Sequence, residues 1–187
     1  MYETSDFKKG LKILIKEEPY VILDFQHVKP GKGNQFTRTK LKNLVTQSGL
    51  EITIRSGEKF AVPDILYKTL SYTYKDSNTF YFIDQNSYET VEIDAAIVGD
   101  TKYYLIESIE TTACFFNNKI ISINAPKSLV LKVTQTDPGF KGNTVSNTTK
   151  SATMETGLVV QVPLHINEGD QLKINTTDGS YIERSNN

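Results

Sequence analysis

Short runs of apolar or alternating residues recur along the whole chain, at 12–15, 20–25, 36–44, 50–54, 70–74, 79–83, 89–93, 103–106, 111–116, 119–123, 128–133, 152–162, 171–174 and 180–182. Most are too short for a stable helix. Several alternate with the period of two that puts one face of a strand against a core. Turn residues separate them, as in Asp76-Ser77-Asn78, Asp137-Pro138-Gly139, Glu168-Gly169-Asp170 and Asp178-Gly179. That spacing predicts an all-β chain folded as small barrels. Only 6–10, capped by Ser5 or Asp6 and ended by Gly10, and 94–98 read as short helices.

Two prolines divide the chain. Val62-Pro63 and Ala125-Pro126 predict domains at 1–63, 64–125 and 126–187. The charge changes with the divisions. Residues 1–63 carry 11 Lys/Arg and 7 Asp/Glu, for +4; residues 64–125 carry 4 and 9, for −5; residues 126–187 carry 6 of each. A basic first third beside an acidic middle points to separate modules rather than one continuous sheet. Modules of this size bury only roughly 60% of their unfolded surface, so neighbours are expected to pack on one another. The second and third pieces share no convincing repeat.

Several function classes drop out on composition and spacing. The chain opens Met1-Tyr2-Glu3-Thr4-Ser5-Asp6 without an apolar leader, and no stretch approaches a membrane span. Cys114 is the only cysteine, which excludes an internal disulfide and predicts a buried, inert thiol in a reducing cytosol. His27 and His165 stand apart, with no metal-ligand spacing, and His27 reads as a half-buried strand residue. No Ser/His/Asp set or carboxylate pair stands out, so an enzyme is not expected. The sequons at Asn147 and Asn175 read as coincidental without a secretion signal.

The most informative local feature is the turn Lys29-Pro30-Gly31-Lys32-Gly33-Asn34, set between two extended runs. Pro30 fixes its own φ, and Gly31 and Gly33 permit left-handed backbone, which is hairpin-tip chemistry. Glycine on both sides leaves Lys32 with no neighbouring side chain, so it should stand clear of the fold. No acidic residue falls between Asp24 and Glu51, whereas Lys29, Lys32, Arg38, Lys40 and Lys42 all do. Arg38, Lys40 and Lys42 alternate, so a strand would put them on one face, as an electrostatic footprint for phosphate. The competing reading is a solvated hairpin with ordinary surface lysines. A Schiff-base role for Lys32 would need a desolvating pocket, which a glycine-flanked tip lacks. A phosphate-cradling P-loop would need Ser or Thr where Gly33 stands.

The run Lys29-Pro-Gly-Lys-Gly-Asn-Gln-Phe-Thr-Arg-Thr-Lys-Leu-Lys-Asn-Leu44 resembles the signature of the bacterial elongation factor P family. So do Ser5-Asp-Phe-Lys-Lys-Gly-Leu-Lys-Ile13, Lys150-Ser-Ala-Thr-Met-Glu-Thr-Gly-Leu-Val-Val-Gln-Val-Pro-Leu164 and Glu168-Gly-Asp-Gln-Leu-Lys-Ile-Asn-Thr-Thr-Asp-Gly-Ser-Tyr-Ile-Glu-Arg184. The resemblance runs through essentially the whole chain in order. It implies an SH3-like, KOW-type first barrel followed by two OB-fold barrels. The hypusine-bearing archaeal and eukaryotic relatives lack the third domain that Lys150–Arg184 would supply.

The resemblance further implies the site residues and partners. Lys32 would be extended by a dedicated lysine-modifying enzyme, by β-lysylation, with Lys29, Pro30, Gly31, Gly33 and Asn34 forming the recognised loop. Arg38, Lys40 and Lys42 would bind tRNA or rRNA. The loop bearing Gly142, Asn143, Thr144 and Lys150 would reach the small subunit and the exit-site codon of the mRNA. Relatives commonly have Gly-Asp where this chain has Gly142-Asn143, which removes a negative charge facing RNA. Tyr181 and Arg184 match positions that contact RNA. The partners would be the bacterial ribosome and peptidyl or initiator tRNA, the protein a cytoplasmic monomer without a cofactor, and its role relief of stalling at consecutive prolines. The alternative is a generic RNA-binding or ribosome-assembly barrel protein with no modified lysine.

Overall fold

Alternation in the sequence becomes strands almost throughout. The computed structural model describes residues 1–138 and 149–185. Its chain divides by contacts into two units, Met1–Tyr67 with Cys114–Ser122, and Lys68–Ala113 with Ile123–Asn187.

In the first unit, β1 (Tyr2–Glu3) pairs with β6 (Lys59–Phe60). A four-stranded antiparallel sheet runs in the order β2 (Lys12–Ile15), β3 (Glu18–Val28), β4 (Phe36–Asn43), β5 (Gly49–Arg55). Phe7, Leu11, Ile13, Ile22, Leu41 and Ile54 form its buried core, the last four from the apolar half of their strands' alternation. A bulge at Leu23 shifts the register of β3 against β4 between Ile22 and Asp24. Such an extra residue bends a strand and increases its twist, which helps this 11-residue strand curl.

The next sheet has the order β11 (Lys119–Asn124), β10 (Glu110–Phe116), β7 (Ile65–Asp76), β8 (Thr79–Asp84), β9 (Thr90–Asp94). In the second unit Leu70, Phe80, Phe82, Ile93 and Val98 are buried. The last sheet runs β14 (Val159–Pro163), β13 (Thr149–Met154), β12 (Ser128–Thr136), β15 (Gln171–Asn175), β16 (Tyr181–Arg184). Its core holds Leu129, Leu131, Val133, Met154, Val162, Ile166, Leu172 and Ile174, and Tyr104, Ile106 and Ile109 from the preceding segment pack against it.

Three expectations change and a fourth holds. The run 103–106 is not a strand: a 3-10 helix covers Gly99–Tyr104. A four-residue apolar run does not fix its own secondary structure, and here Tyr104 and Ile106 follow the core they pack on. The run 152–162 is a hairpin of β13 and β14, because Gly157 takes φ +84° and its N–H bonds the Met154 carbonyl. The helix expected at 6–10 is instead a 3-10 turn at Thr4–Asp6, where the Asp6 carboxylate accepts the Glu3 N–H at 2.8 Å. The helix expected at 94–98 is α1 (Ala95–Val98), and Asp94 caps it by accepting the Ala96 N–H at 2.7 Å.

One repeat that the sequence conceals spans the three larger sheets. Strands β4, β8 and β15 each end on an Asx residue, namely Asn43, Asp84 and Asn175. Each side chain accepts an N–H two residues on, from Val45, Asn86 and Thr177. Each backbone carbonyl accepts the N–H four residues on, from Gln47, Tyr88 and Gly179, all at positive φ. The shared device is the Asx turn, which mimics a backbone turn and starts the next strand. Its sequences, Asn43-Leu-Val-Thr-Gln-Ser48, Asp84-Gln-Asn-Ser-Tyr-Glu89 and Asn175-Thr-Thr-Asp-Gly-Ser180, have only the Asx position in common. Among the described residues, no helix is long and apolar enough to cross a membrane.

Candidate functional site

The β3–β4 hairpin carries the principal candidate. Its last cross-strand pair is Val28 with Phe36, so residues 29–35 form the connecting loop, and every one of them is exposed. Gly33 takes φ +113°, a conformation that favours glycine; Gly31 does not use positive φ. A side chain at Gly31 would meet nothing of this chain within 4 Å. The two glycines therefore do different jobs. Gly33 turns the backbone, and Gly31 leaves the approach to Lys32 open.

Below the tip, β4 sorts its side chains by parity. Thr37, Thr39, Leu41 and Asn43 are buried, while Arg38 and Lys40 are exposed and Lys42 is half-buried. The three cations thus share the outward face, and the Arg38 guanidinium lies 5.9 Å from the Phe36 ring centroid. Register adds what the sequence did not reveal. Lys40 lies opposite Asp24 on β3 and opposite Glu51 on β5, the two acids that bound the acid-free interval. Asp24, Phe25, Gln26, Arg38, Lys40 and Glu51 line an open groove of about 230 Å³. Asp24 is ion-paired with Lys9 at 3.1 Å. The hydrogen bond and charge of Lys9 hold the Asp24 carboxyl below its ordinary range, so it stays anionic beside the strip.

His27, at the hairpin root, is exposed rather than half-buried. Its Nδ1 shares a 2.8 Å hydrogen bond with Thr37 Oγ1, and its ring stands edge-on to Phe25 at 5.3 Å. The apolar support under the ring comes from Phe25, two residues back on the same strand and so on the same face.

The second candidate site is only partly described. Gly142, Asn143 and Thr144 lie outside the described residues. Lys150 is buried in β13, and its amine donates to the Asp137 carbonyl at 2.7 Å. It is placed as a strut across the base of that segment rather than as an outward cation. Tyr181 is half-buried against the core of the last sheet. Arg184 is half-exposed and pairs with the mostly buried Asp170 at 3.1 Å. Lys32 and the basic strip belong to the first unit, whereas Lys150, Tyr181 and Arg184 belong to the second.

Cys114 is buried, and burial pushes its thiol up, away from the reactive thiolate. The Tyr67 phenol beside it is pushed up to about 12 by burial and by the thiol. No group of three or more His, Cys, Asp and Glu that could hold a metal occurs among the described residues.

Three family models match this chain: the elongation factor P KOW-like domain at residues 3–60, the elongation factor P OB domain at 65–123, and the elongation factor P C-terminal domain at 129–184. Elongation factor P of Bdellovibrio bacteriovorus is 55% identical over 184 residues, covering 98% of each chain. That of Maridesulfovibrio salexigens is 46% identical over 184 residues, covering 98% of this chain and 99% of its own. Among solved structures, a eukaryotic translation initiation factor 5A from Methanococcus jannaschii superposes with a TM-score of 0.55 at 20% identity, over 66% of this chain and 91% of its own. This last likeness is one of fold alone.

Proposed function

This chain belongs to the elongation factor P family of translation factors, and from that premise we propose that it binds the ribosome between the peptidyl and exit tRNA sites and restores peptide-bond formation where consecutive prolines stall it. The observation that carries the proposal is the exposed, glycine-flanked Lys32 standing beyond the outward face of Arg38, Lys40 and Lys42. A phosphate-binding face below an outstretched lysine suits the acceptor end of peptidyl or initiator tRNA.

Proline is a restricted substrate, with φ locked and a secondary amine. A factor that orders the CCA end lowers the entropic part of a barrier whose chemistry the ribosome performs. In this reading the protein catalyses nothing itself. A dedicated enzyme extends Lys32 by β-lysylation, and the longer side chain reaches where lysine alone would stop. Lys29, Pro30, Gly31, Gly33 and Asn34 present it, and Gly31 leaves room for the enzyme's own surface.

The three matched spans support a KOW-type barrel followed by two OB-fold barrels. Gly142, Asn143 and Thr144 read the exit-site codon on the small subunit, with Lys150 bracing the root of that segment. Tyr181 and Arg184 add RNA contact near the C-terminal end. The protein works in the cytoplasm as a monomer. Synthesis of a diproline-containing peptide on purified ribosomes, with and without the protein, tests the proposal. An unchanged rate with protein shown by intact mass to carry the lysine extension would overturn it.

A further inference from the structure

The outward face of β7, β8 and β9 takes no part in the proposed tRNA contact. Cross-strand register sets Tyr74 opposite Tyr81, and Tyr81 opposite Glu92. The next row holds Asp76, Thr79 and Asp94, and the row on the other side holds Ser71, Ile83 and Thr90. The reverse side carries the buried Phe80, Phe82 and Ile93. The two tyrosine rings stack with centroids 4.5 Å apart and planes 9° from parallel. Tyr74 nevertheless stays 53% exposed and Ile83 36% exposed. Tyr88, in the turn from β8 to β9, is 80% exposed. An aromatic pair stacked at the surface leaves a flat π face in water, a cost that folding alone does not demand.

The charge on this face has one sign. Asp76, Glu92 and Asp94 all point outward, and Asp94 is already engaged with the Ala96 N–H. The basic residues of these strands sit in the inward register. Lys68 pairs with Asp84 at 3.0 Å, and the Lys75 amine lies 5.2 Å from the Phe80 ring centroid. Burial, then the Glu92 carboxylate, raise the Tyr81 phenol above its ordinary value. Phosphate would be repelled here. A cation would gain both a π face and a carboxylate, the combination that suits guanidinium best.

We propose that this face docks an arginine- or lysine-rich segment of a protein partner, its cations resting on the Tyr74–Tyr81 stack and pairing with Asp76 and Glu92. The inference is independent of the proposed role of Lys32. It is tested on the full chain with a fluorescent arginine–glycine repeat peptide, read by anisotropy, beside a peptide with glutamine for arginine and a single-stranded oligouridylate. Tyr74→Ala and the strand-compatible Tyr81→Val should each weaken the arginine peptide about tenfold. Glu92→Gln should weaken it about threefold, and Glu183→Gln, on β16 in the last sheet, should leave it unchanged. Equal binding of the arginine peptide by the parent and both tyrosine variants would overturn the proposal. So would oligouridylate binding that depends on Tyr74 and Tyr81 when the peptide's does not, which would make the face an RNA platform. Melting curves of each variant confirm that the folded protein is being compared.

Discussion

Asp24 faces Lys40 across the β3–β4 pair, yet its ion pair is made with Lys9, 3.1 Å away. One carboxylate therefore sits inside the basic strip and is held anionic by a residue outside it. Asp24→Asn should raise affinity for tRNA or ribosomes about two- to threefold at low salt, because two lysines lose a competitor. The melting temperature should scarcely move, since the pair is exposed. Filter binding at two salt concentrations checks this, and weaker binding by the variant would show that Asp24 orders the strip rather than dampening it.

Lys32→Ala should leave the fold unchanged and abolish relief of proline stalling. Every residue of the 29–35 loop is exposed, so truncation there creates no cavity. Lys32→Arg keeps the charge but gives a lysine-directed enzyme no substrate, and should lose most activity as well. Melting curves and a diproline synthesis assay check the pair; full activity in either variant, or a melting temperature lower by many degrees, contradicts the assignment.

Replacing Arg38, Lys40 and Lys42 together with Gln should lower the log–log salt slope of RNA binding by at most about one unit per residue. The structure grades the three. Arg38 and Lys40 are exposed and Lys42 is half-buried, so Lys42→Gln alone should have the smallest effect. Single variants titrated from low to high salt give the ranking, and a slope unchanged in the triple variant would make the strip a solvated strand face.

What could be seen in the sequence was whatever one strand decides for itself. The parity that turns Arg38 and Lys40 outward is local, and so is the hairpin chemistry around Lys32. What could not be seen depends on a second strand. Asp24 and Glu51 lie 27 positions apart, yet register brings both against Lys40. The Asx turns at Asn43, Asp84 and Asn175 share only the Asx position, because backbone N–H groups do the rest. The charge of Lys150 masks its burial. The signal was present, since Lys150, Ala152 and Met154 alternate and all three are buried.

Asp84 should make stability depend on acid. Its carboxylate is held below the ordinary range by the Asn86 N–H and by Lys68. A depressed folded pKa contributes stability that is present above the unfolded value and is lost as pH falls through the folded one. Asp84→Asn keeps the Asx turn, as Asn43 and Asn175 do, and loses the ion pair. At pH 7 it should melt a few degrees below the parent, and the gap should narrow below about pH 4. Asp84→Ala, which loses turn and pair together, should melt lower than Asp84→Asn. A gap independent of pH would mean that Lys68 contributes nothing.

Deleting residues 126–187 at the boundary read from Ala125-Pro126 should not leave a well-behaved fragment. Sequence alone makes this cut look clean, since proline and a change of charge coincide there. The structure places Tyr104, Ile106 and Ile109 against the core formed by Leu129, Leu131, Val162, Leu172 and Ile174. Removing that core strands three large apolar side chains in water, at about 1.5–3 kcal/mol for each one fully uncovered. A domain near 60 residues has little stability to spare for such a loss. The 1–125 fragment should therefore bind a hydrophobic dye and self-associate, whereas the β3–β4 hairpin, in the other unit, should still present Lys32 to a modifying enzyme. Replacing Ile106 and Ile109 with Ser or Thr should restore a monomer without affecting modification. Sedimentation and intact mass measure the two properties separately. A fragment that stays monomeric and binds no dye would show that the 104–109 segment collapses onto its own sheet once its neighbour is gone.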